Sequence, residues 1–146
     1  MLDTRELYQQ VILDHNRSPR NFRVIENPSS HAEGNNPLCG DKVAVDLTMS
    51  GGVITDVAFQ GAGCAISTAS ASLMTEQIKG MSPQEALDLI DQFRGLVTGA
   101  SDTMNVASLD VFSGVQNYPT RVKCATLAWH TLRAAIEGTT DTITTE

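Results

Sequence analysis

Two adjacent segments with a two-residue hydrophobic period constrain the fold of this chain more than any other feature. In residues 43–49 a large apolar side chain occupies every second position, and residues 53–59 follow the same period with one threonine in the series. Such alternation is typical of strands that bury one face. Ser50-Gly51-Gly52 separates the two segments and is typical of a tight turn. The pattern therefore predicts an antiparallel hairpin.

Segments with helical spacing surround this hairpin. The spacing of apolar residues predicts a first helix over residues 4–15, a second over 65–79 and a last one from about 119 to a stop at Gly138. A further helix begins at Ser82-Pro83-Gln84-Glu85, which has the sequence of a capping box with proline in the first turn.

The other segments are predicted to be mainly irregular. Residues 16–38 are rich in Asn, Pro, Ser and Gly, apart from a short edge strand expected near 31–35, and residues 95–108 are expected to form a loop. Residues 109–115 fit either a helix or an extended segment. The order of the elements predicts an α+β fold, in which helices pack on one face of a small antiparallel sheet of two clear strands and one short edge strand.

The length and the charge of the chain exclude several classes of protein. A chain of 146 residues suits one domain, which we place at residues 1–138, and residues 139–146 are expected to form a disordered tail. The net charge of −7 argues against binding to nucleic acid or to anionic lipid. Because the sequence shows neither a signal-like segment nor an apolar span, we expect a cytoplasmic protein that does not contact membranes.

The three cysteines lie at the ends of predicted elements rather than within them. Cys39 precedes the first strand of the hairpin, Cys64 precedes a helix, and Cys124 is placed in the first turn of the last helix. Turns and helix starts offer N–H groups that stabilise thiolates. An odd number of cysteines excludes a complete disulfide framework and suits a reducing compartment, where thiols serve metal binding or catalysis.

A metal site is predicted if these three ends converge. Asp41 follows Cys39 by two residues in an extended segment, so both side chains point to the same side and Asp41 can be a fourth ligand. Three sulfurs and one carboxylate suit tetrahedral Zn²⁺. Such a centre keeps a net negative charge, and Arg121, close to Cys124, can hydrogen-bond a sulfur or Asp41. The alternative for each cysteine taken alone is a small buried apolar residue.

Four stretches of the sequence resemble the U-type iron–sulfur assembly family. They occur in the family's order, span residues 14–129 and therefore cover nearly the whole domain. The stretches are Asp14-His15-Asn16 with Pro19-Arg20-Asn21, Asn36-Pro37-Leu38-Cys39-Gly40-Asp41, Gly61-Ala62-Gly63-Cys64-Ala65-Ile66-Ser67 with Ser70-Ala71-Ser72-Leu73-Met74-Thr75-Glu76, and Arg121-Val122-Lys123-Cys124-Ala125-Thr126-Leu127-Ala128-Trp129. The resemblance implies the fold that IscU and SufU share.

Two branches of that family differ at positions visible in this chain. The scaffolds of the IscU type, which build [2Fe–2S] clusters, have a histidine immediately before the third cysteine and a Leu-Pro-Pro-Val-Lys stretch ahead of it. Here Lys123 precedes Cys124, and the run before it is Asn117-Tyr118-Pro119-Thr120-Arg121-Val122-Lys123. The segment from Gly80 to Gly99 also resembles an insertion found in SufU proteins. The resemblance therefore favours the SufU branch.

The SufU resemblance implies a zinc-dependent sulfurtransferase. Such a protein accepts persulfide sulfur from a SufS-type cysteine desulfurase and passes it towards a downstream iron–sulfur scaffold. By resemblance, Cys39, Asp41, Cys64 and Cys124 are the zinc ligands, Cys39 is the sulfur acceptor, and Arg121 supports the site. Two alternatives stay open: an IscU-like scaffold that holds an iron–sulfur cluster and transfers clusters to apo-proteins, and a structural zinc domain that serves protein interaction.

Overall fold

The computed structural model describes residues 4–37, 40–99, 112, 115, 118–138 and 143–144. Its elements follow in the order helix, three strands, three helices and a two-residue strand. They are α1 (Thr4–Arg17), β1 (Ser30–Asn36), β2 (Asp41–Ser50), β3 (Val53–Ala62), α2 (Ala65–Ile78), α3 (Pro83–Thr98), α4 (Pro119–Glu137) and β4 (Ile143–Thr144). This architecture confirms the predicted α+β class.

Strands β1, β2 and β3 form an antiparallel meander within a sheet of order β3-β2-β1-β4. The predicted hairpin is present as β2 and β3, and the expected short strand is present as β1, with seven residues, of which Gly34 and Asn35 also pair with β4 on the outer side. Asn36 pairs with Asp41, and Lys42 pairs with Ala62. The turn between β1 and β2, the start of β2 and the end of β3 therefore lie at one edge of the sheet.

Helices α2 and α4 pack on the sheet, α4 against β1 and β2 and α2 against β3. Helix α1 packs on α2, and α3 packs on α4. Alternate residues of the hairpin, among them Val45, Leu47 and Val57, are fully buried, as the two-residue period predicts. The helix layer thus carries α2 and α4 side by side above the sheet edge where β2 begins.

Helix α3 begins as predicted and ends later than predicted. The Ser82 hydroxyl accepts a hydrogen bond from the Glu85 N–H, and the Glu85 carboxylate accepts one from the Ser82 N–H, both at 3.2 Å, which completes the capping box. The loop expected from residue 95 is wrong for residues 95–98, because Leu96 and Val97 continue the buried face of the helix. Residues 100–108 lie outside the described residues, as do 109–111, 113 and 114.

Two other boundaries also differ from the predictions. Helix α1 continues to Arg17 instead of residue 15. Strand β4 lies in the segment predicted to be disordered, where Ile143 and Thr144 pair in parallel with Gly34 and Asn35 of β1. A two-residue strand has no period to detect, and it forms because the edge of β1 offers backbone groups for pairing. Residues 139–142 and 145–146 lie outside the described part, and the domain boundary at 138 stays a prediction.

Among the helices that the structure describes, none has both the length and the apolar character that a bilayer crossing needs.

Candidate metal centre

Three side chains from three different elements meet at the edge of the sheet where β2 begins. Asp41 is the first residue of β2, Cys64 is the N-cap of α2, and Cys124 lies on α4. One carboxylate oxygen of Asp41 and the two sulfurs all lie within 4.8 Å of one another. The sequence separates these residues widely, so only the packing of α2 and α4 over the sheet brings them together.

Asp41 is a buried carboxylate, with only 3% of the residue exposed. The Cys64 N–H donates a hydrogen bond to Asp41 Oδ1 at 3.1 Å, and Cys64 Sγ lies 3.6 Å from Asp41 Oδ2. An ionised carboxylate taken out of water needs compensation by hydrogen bonds or by a cation. A cation between Asp41 and the sulfurs would provide that compensation.

Cys64 is exposed and starts α2 as its capping residue. Its sulfur accepts a hydrogen bond from the Ser67 N–H at 3.4 Å, in the place where Ser, Thr, Asp or Asn usually caps a helix. An N–H donor and the positive end of the helix dipole therefore both lie beside this sulfur. The prediction that Cys64 stands at a helix start is therefore confirmed.

Cys124 occupies a different local position from the one predicted. It is the sixth residue of α4, in the second turn, and only 5% of it is exposed. Only the first four N–H groups of a helix lack a partner within the helix, so the argument from a helix start does not apply to Cys124. The sulfur instead reaches the centre because α4 crosses the sheet beside α2.

Cys39 lies between β1 and β2 in the sequence, outside the described residues. The described residues on either side of it are held together by the pairing of Asn36 with Asp41 and by a 2.8 Å hydrogen bond from the Gly40 N–H to the Asn36 carbonyl. Gly40 has φ +78°, a conformation that favours glycine. Two peptide units limit the separation of the Cα atoms of Cys39 and Asp41 to about 7.6 Å. The role of Cys39 as a fourth ligand stays a prediction.

Arg121 lies in the first turn of α4, three residues before Cys124. Its guanidinium stacks over the ring of Tyr118, with 4.5 Å between the guanidinium carbon and the ring centroid. Both residues are exposed. The structure thus places a cation and an aromatic ring on the helix that carries Cys124, while the hydrogen bond expected from Arg121 to a sulfur or to Asp41 stays a prediction.

Gly63 is a site residue that the sequence reasoning did not single out. A Cβ atom at this position would lie 3.0 Å from Asp41 Oδ1 and 3.2 Å from Ser67 Oγ. Both separations are shorter than an ordinary van der Waals contact, so glycine is what allows the backbone to approach the carboxylate. The glycine-rich run before Cys64 was a signal for this close approach, but it does not identify the partner.

The three histidines lie outside this cluster. His15 Nδ1 lies 2.7 Å from Ser72 Oγ, and His31 Nδ1 lies 2.5 Å from Asp46 Oδ1. Burial lowers the pKa of His130, and Arg94 and Arg133 lower it further. Among the described residues, the cluster of Asp41, Cys64 and Cys124 offers only sulfur and carboxylate ligands.

The donor set fits a zinc ion. Two sulfurs and one carboxylate oxygen, two of the three residues buried, are donors that zinc accepts in tetrahedral sites. The three donors come from a strand, a helix cap and a second helix, so regular structure holds each of them. A fourth ligand would complete the tetrahedron. Cys39 is the remaining cysteine of the sequence and precedes Asp41 by two residues.

Comparison with known proteins places this chain. Residues 7–125 match the family model described as the NifU-like N terminal domain. The chain belongs to this NifU-like family of iron–sulfur cluster assembly proteins. The family resemblance that the motifs predicted is thereby confirmed.

Relatives within the NifU-like family carry two different names. The chain is 40% identical to the zinc-dependent sulfurtransferase SufU of Bacillus subtilis, over 92% of this chain and 91% of that protein. It is 38% identical to the iron–sulfur cluster assembly scaffold protein IscU of Streptococcus pyogenes, over 90% of this chain and 83% of that protein. Family membership alone therefore does not decide between the two branches.

Solved structures of the family share the fold. A crystal structure of an iron–sulfur cluster assembly scaffold protein for the SUF system from Fervidobacterium islandicum matches with a TM-score of 0.84 and 38% identity, over 92% of this chain and 99% of that one. The N-terminal part of a NifU-like protein from Brucella abortus matches with a TM-score of 0.83 and 25% identity, over 90% of this chain and 93% of that one.

Proposed function

We propose that this chain is a zinc-dependent sulfurtransferase that accepts persulfide sulfur from a SufS-type cysteine desulfurase. The observation that carries the proposal is the meeting of Asp41, Cys64 and Cys124 within 4.8 Å at one edge of the sheet. The sulfur then passes to a downstream iron–sulfur scaffold. The 40% identity to a protein named zinc-dependent sulfurtransferase supports the same assignment.

Asp41, Cys64, Cys124 and Cys39 would hold the zinc. When bound, zinc supplies Lewis acidity, which keeps the thiols deprotonated at neutral pH. The carboxylate of Asp41, which is buried, and the sulfur of Cys64, which caps α2 by accepting from the Ser67 N–H, form the fixed part of the ligand set. Arg121 and Lys123, on the same helix as Cys124, offset part of the negative charge that four anionic ligands bring.

Cys39 is the sulfur acceptor in this proposal. The other three ligands are the first residue of β2, the N-cap of α2 and a residue within α4. Cys39 is followed by Gly40, and a glycine neighbour permits the backbone movement that release of a ligand needs. We therefore assign the departing ligand and the nucleophile to the same residue, Cys39.

The transfer step is a thiol–disulfide type exchange. The Cys39 thiolate attacks the terminal sulfur of the desulfurase persulfide, and a new S–S bond forms as the S–S bond on the desulfurase breaks. The desulfurase cysteine leaves as a thiolate, and the transferred sulfur keeps its oxidation state. No further oxidant or reductant is needed. Arg121, exposed in the first turn of α4, is assigned to attract and orient the anionic persulfide.

The second candidate function is that of an IscU-like iron–sulfur cluster scaffold. Two features of the chain support the sulfurtransferase over this alternative. Lys123 stands immediately before Cys124, where the resemblance implies a histidine in IscU-type scaffolds. Helix α3, with its complete capping box, fills the segment that resembles the SufU insertion. The scaffold remains the alternative because relatives named IscU match at 38% and 37% identity.

Substitution of Cys39 by serine tests the proposal. Incubation of the zinc-loaded protein with the desulfurase and cysteine should add one sulfur atom to the Cys39 peptide, detected by mass spectrometry. In Cys39→Ser the added sulfur and the stimulation of the desulfurase should fall to background. Ser50→Ala, at the exposed last residue of β2 and at the opposite end of that strand from Asp41, is the control and should behave like the unchanged protein.

Two outcomes would contradict the proposal, each in its own way. Full stimulation by Cys39→Ser would refute the acceptor role. A purified protein with a coloured iron–sulfur cluster and no zinc would favour the scaffold.

Alkylation distinguishes the sulfurtransferase from the third alternative, a structural zinc domain. A structural zinc site protects all three thiols equally, whereas an acceptor exposes Cys39 first when the desulfurase is present.

A further inference from the structure

One buried hydroxyl joins the two helices that carry thiols. Ser70 Oγ, on α2, donates a hydrogen bond to the Ala125 carbonyl at 2.6 Å and accepts one from Trp129 Nε1 at 2.9 Å. Ala125 and Trp129 both belong to α4. Ser70 and Ala125 are fully buried, and Trp129 is almost so. The contact is therefore not in exchange with bulk water.

The direction of both hydrogen bonds is fixed by chemistry. An indole N–H is only a donor, so the Ser70 oxygen must accept from Trp129 and its own proton must go to the Ala125 carbonyl. Residues 125 and 129 are about one helical turn apart on α4. An oxygen that bonds to both of them resists sliding of α4 along α2 and also resists its rotation.

The small side chains around this contact make its role in alignment larger. Ala125, whose carbonyl accepts the Ser70 hydrogen bond, is buried, and a methyl side chain forms only a shallow ridge on a helix surface. Shallow ridges set the relative position of two helices weakly. The two directional hydrogen bonds of Ser70 thus add a fixed point to the alignment of α2 with α4.

The alignment of these helices decides the geometry of the metal centre. Cys64 caps α2, and Cys124 is the residue before Ala125 on α4. Metal sites tolerate deviations of only about 0.2 Å in ligand distances, so a small shift between the helices weakens a shared site. We propose that Ser70 is a positioning residue, which holds the Cys124 thiol at the distance from Cys64 that the metal requires. This inference rests on the proposed zinc centre.

Helix α3 supports the contact from the other side of the indole. Phe93 of α3 stacks on Trp129 with 4.3 Å between ring centroids and 14° between ring planes. The stack holds the indole in the plane from which its N–H reaches Ser70. Helix α3 therefore connects to the helices that carry the thiols through Phe93, Trp129 and Ser70.

Ser72 provides a matched control on the same helix. It is as buried as Ser70, but its hydroxyl bonds to His15 and to the Arg20 N–H, on the side of α1. Ser70→Ala and Ser72→Ala each remove one buried hydroxyl with two partners. We expect comparable falls in melting temperature, but a zinc affinity about tenfold lower only in Ser70→Ala, the size seen for outer-shell partners of metal ligands. Competition with a chromophoric chelator measures the affinity.

A second probe keeps the inference separate from the proposed function. Phenylarsine oxide binds two neighbouring thiols without zinc, and in a Cys39→Ser background it reports on the pair Cys64 and Cys124. Ser70→Ala should weaken its binding by a similar factor, and Ser72→Ala should leave it within about twofold. Trp129→Phe, which keeps the stacked ring and removes the donor, should act like Ser70→Ala and replaces that variant if it does not fold.

The outcomes divide as follows. Equal losses of arsenical binding in Ser70→Ala and Ser72→Ala, or no loss in either, would overturn the positioning role. A specific loss in Ser70→Ala in a protein that binds no zinc would support the positioning role and refute the proposed zinc centre.

Discussion

The carboxylate of Asp41 is enclosed by backbone. The Cys64 N–H donates to its Oδ1, and the missing side chain of Gly63 leaves the space that its Oδ1 and Cγ occupy. A Cβ at Gly63 would meet Oδ1 at 3.0 Å and Cγ at 3.1 Å. The turn before α2 therefore contributes to the centre in two ways: it supplies the Cys64 sulfur and it sets the position of a ligand from another element.

Replacing Gly63 by alanine tests this role at the scale of one methyl group. The methyl group should displace the Asp41 carboxylate by a few tenths of an ångström and lower zinc affinity by about tenfold, with a stability loss of about 1 kcal/mol. Chelator competition and urea denaturation measure the two effects. Ala62→Ser, which adds one atom at the exposed neighbouring position, should change neither. An unchanged zinc affinity in Gly63→Ala would contradict the account of Asp41.

Helix α2 is the central element of the helix layer, and its hydroxyl groups hold elements on both sides. Ser70 bonds to α4, while Ser72 and Thr75 bond to the segment after α1. The Arg20 N–H donates to Ser72 Oγ at 2.8 Å, and Asn21 Nδ2 donates to Thr75 Oγ1 at 3.0 Å. The small residues of α2 indicated close packing, but a sequence pattern does not show which hydroxyl faces which neighbour. Part of the first family motif thus serves to attach the N-terminal segment to α2.

The attachment of α1 to α2 should depend on pH through His15. Burial lowers the pKa of His15 below its ordinary value, and the nearby charge of Arg20 lowers it further, against the opposing effects of Glu76 and Asp14. The unfolded chain therefore binds the proton more readily than the folded one, and stability falls as pH drops through the ordinary histidine range near 6.5. Burial lowers the pKa of His130 too, so both residues act in the same direction.

Urea denaturation at pH 7.5 and pH 5.5 measures this dependence. His15→Gln should reduce the loss of unfolding free energy between the two pH values, and the remaining loss is assigned in part to His130. Asn16→Gln, at the exposed neighbouring position, should leave the loss unchanged. If His15→Gln loses as much stability on acidification as the unchanged protein does, His15 is not a source of the pH dependence.

At the scale of the whole molecule, local sequence patterns predicted individual strands and helices. The metal centre depends instead on how those strands and helices pack against one another. The two-residue period predicted β2 and β3, and the capping box predicted the start of α3. Both predictions succeeded because each pattern reflects the local conformation of the segment that contains it. Cys64 and Cys124 are 60 residues apart, and no local rule places α4 beside α2. The family motifs supplied that information. Strand β4 was not predicted, because it forms by pairing with the backbone groups on the outer side of β1 and has no pattern of its own in the sequence.

X-ray absorption at the zinc edge of the purified protein tests the central claim most directly. The account predicts one zinc per chain with three sulfur neighbours at about 2.3 Å and one oxygen at about 2.0–2.2 Å, from Cys39, Cys64, Cys124 and Asp41. In Cys39→Ser one of the three sulfur neighbours should be lost. A zinc bound only by nitrogen and oxygen, or a protein that contains an iron–sulfur cluster and no zinc, would contradict the account.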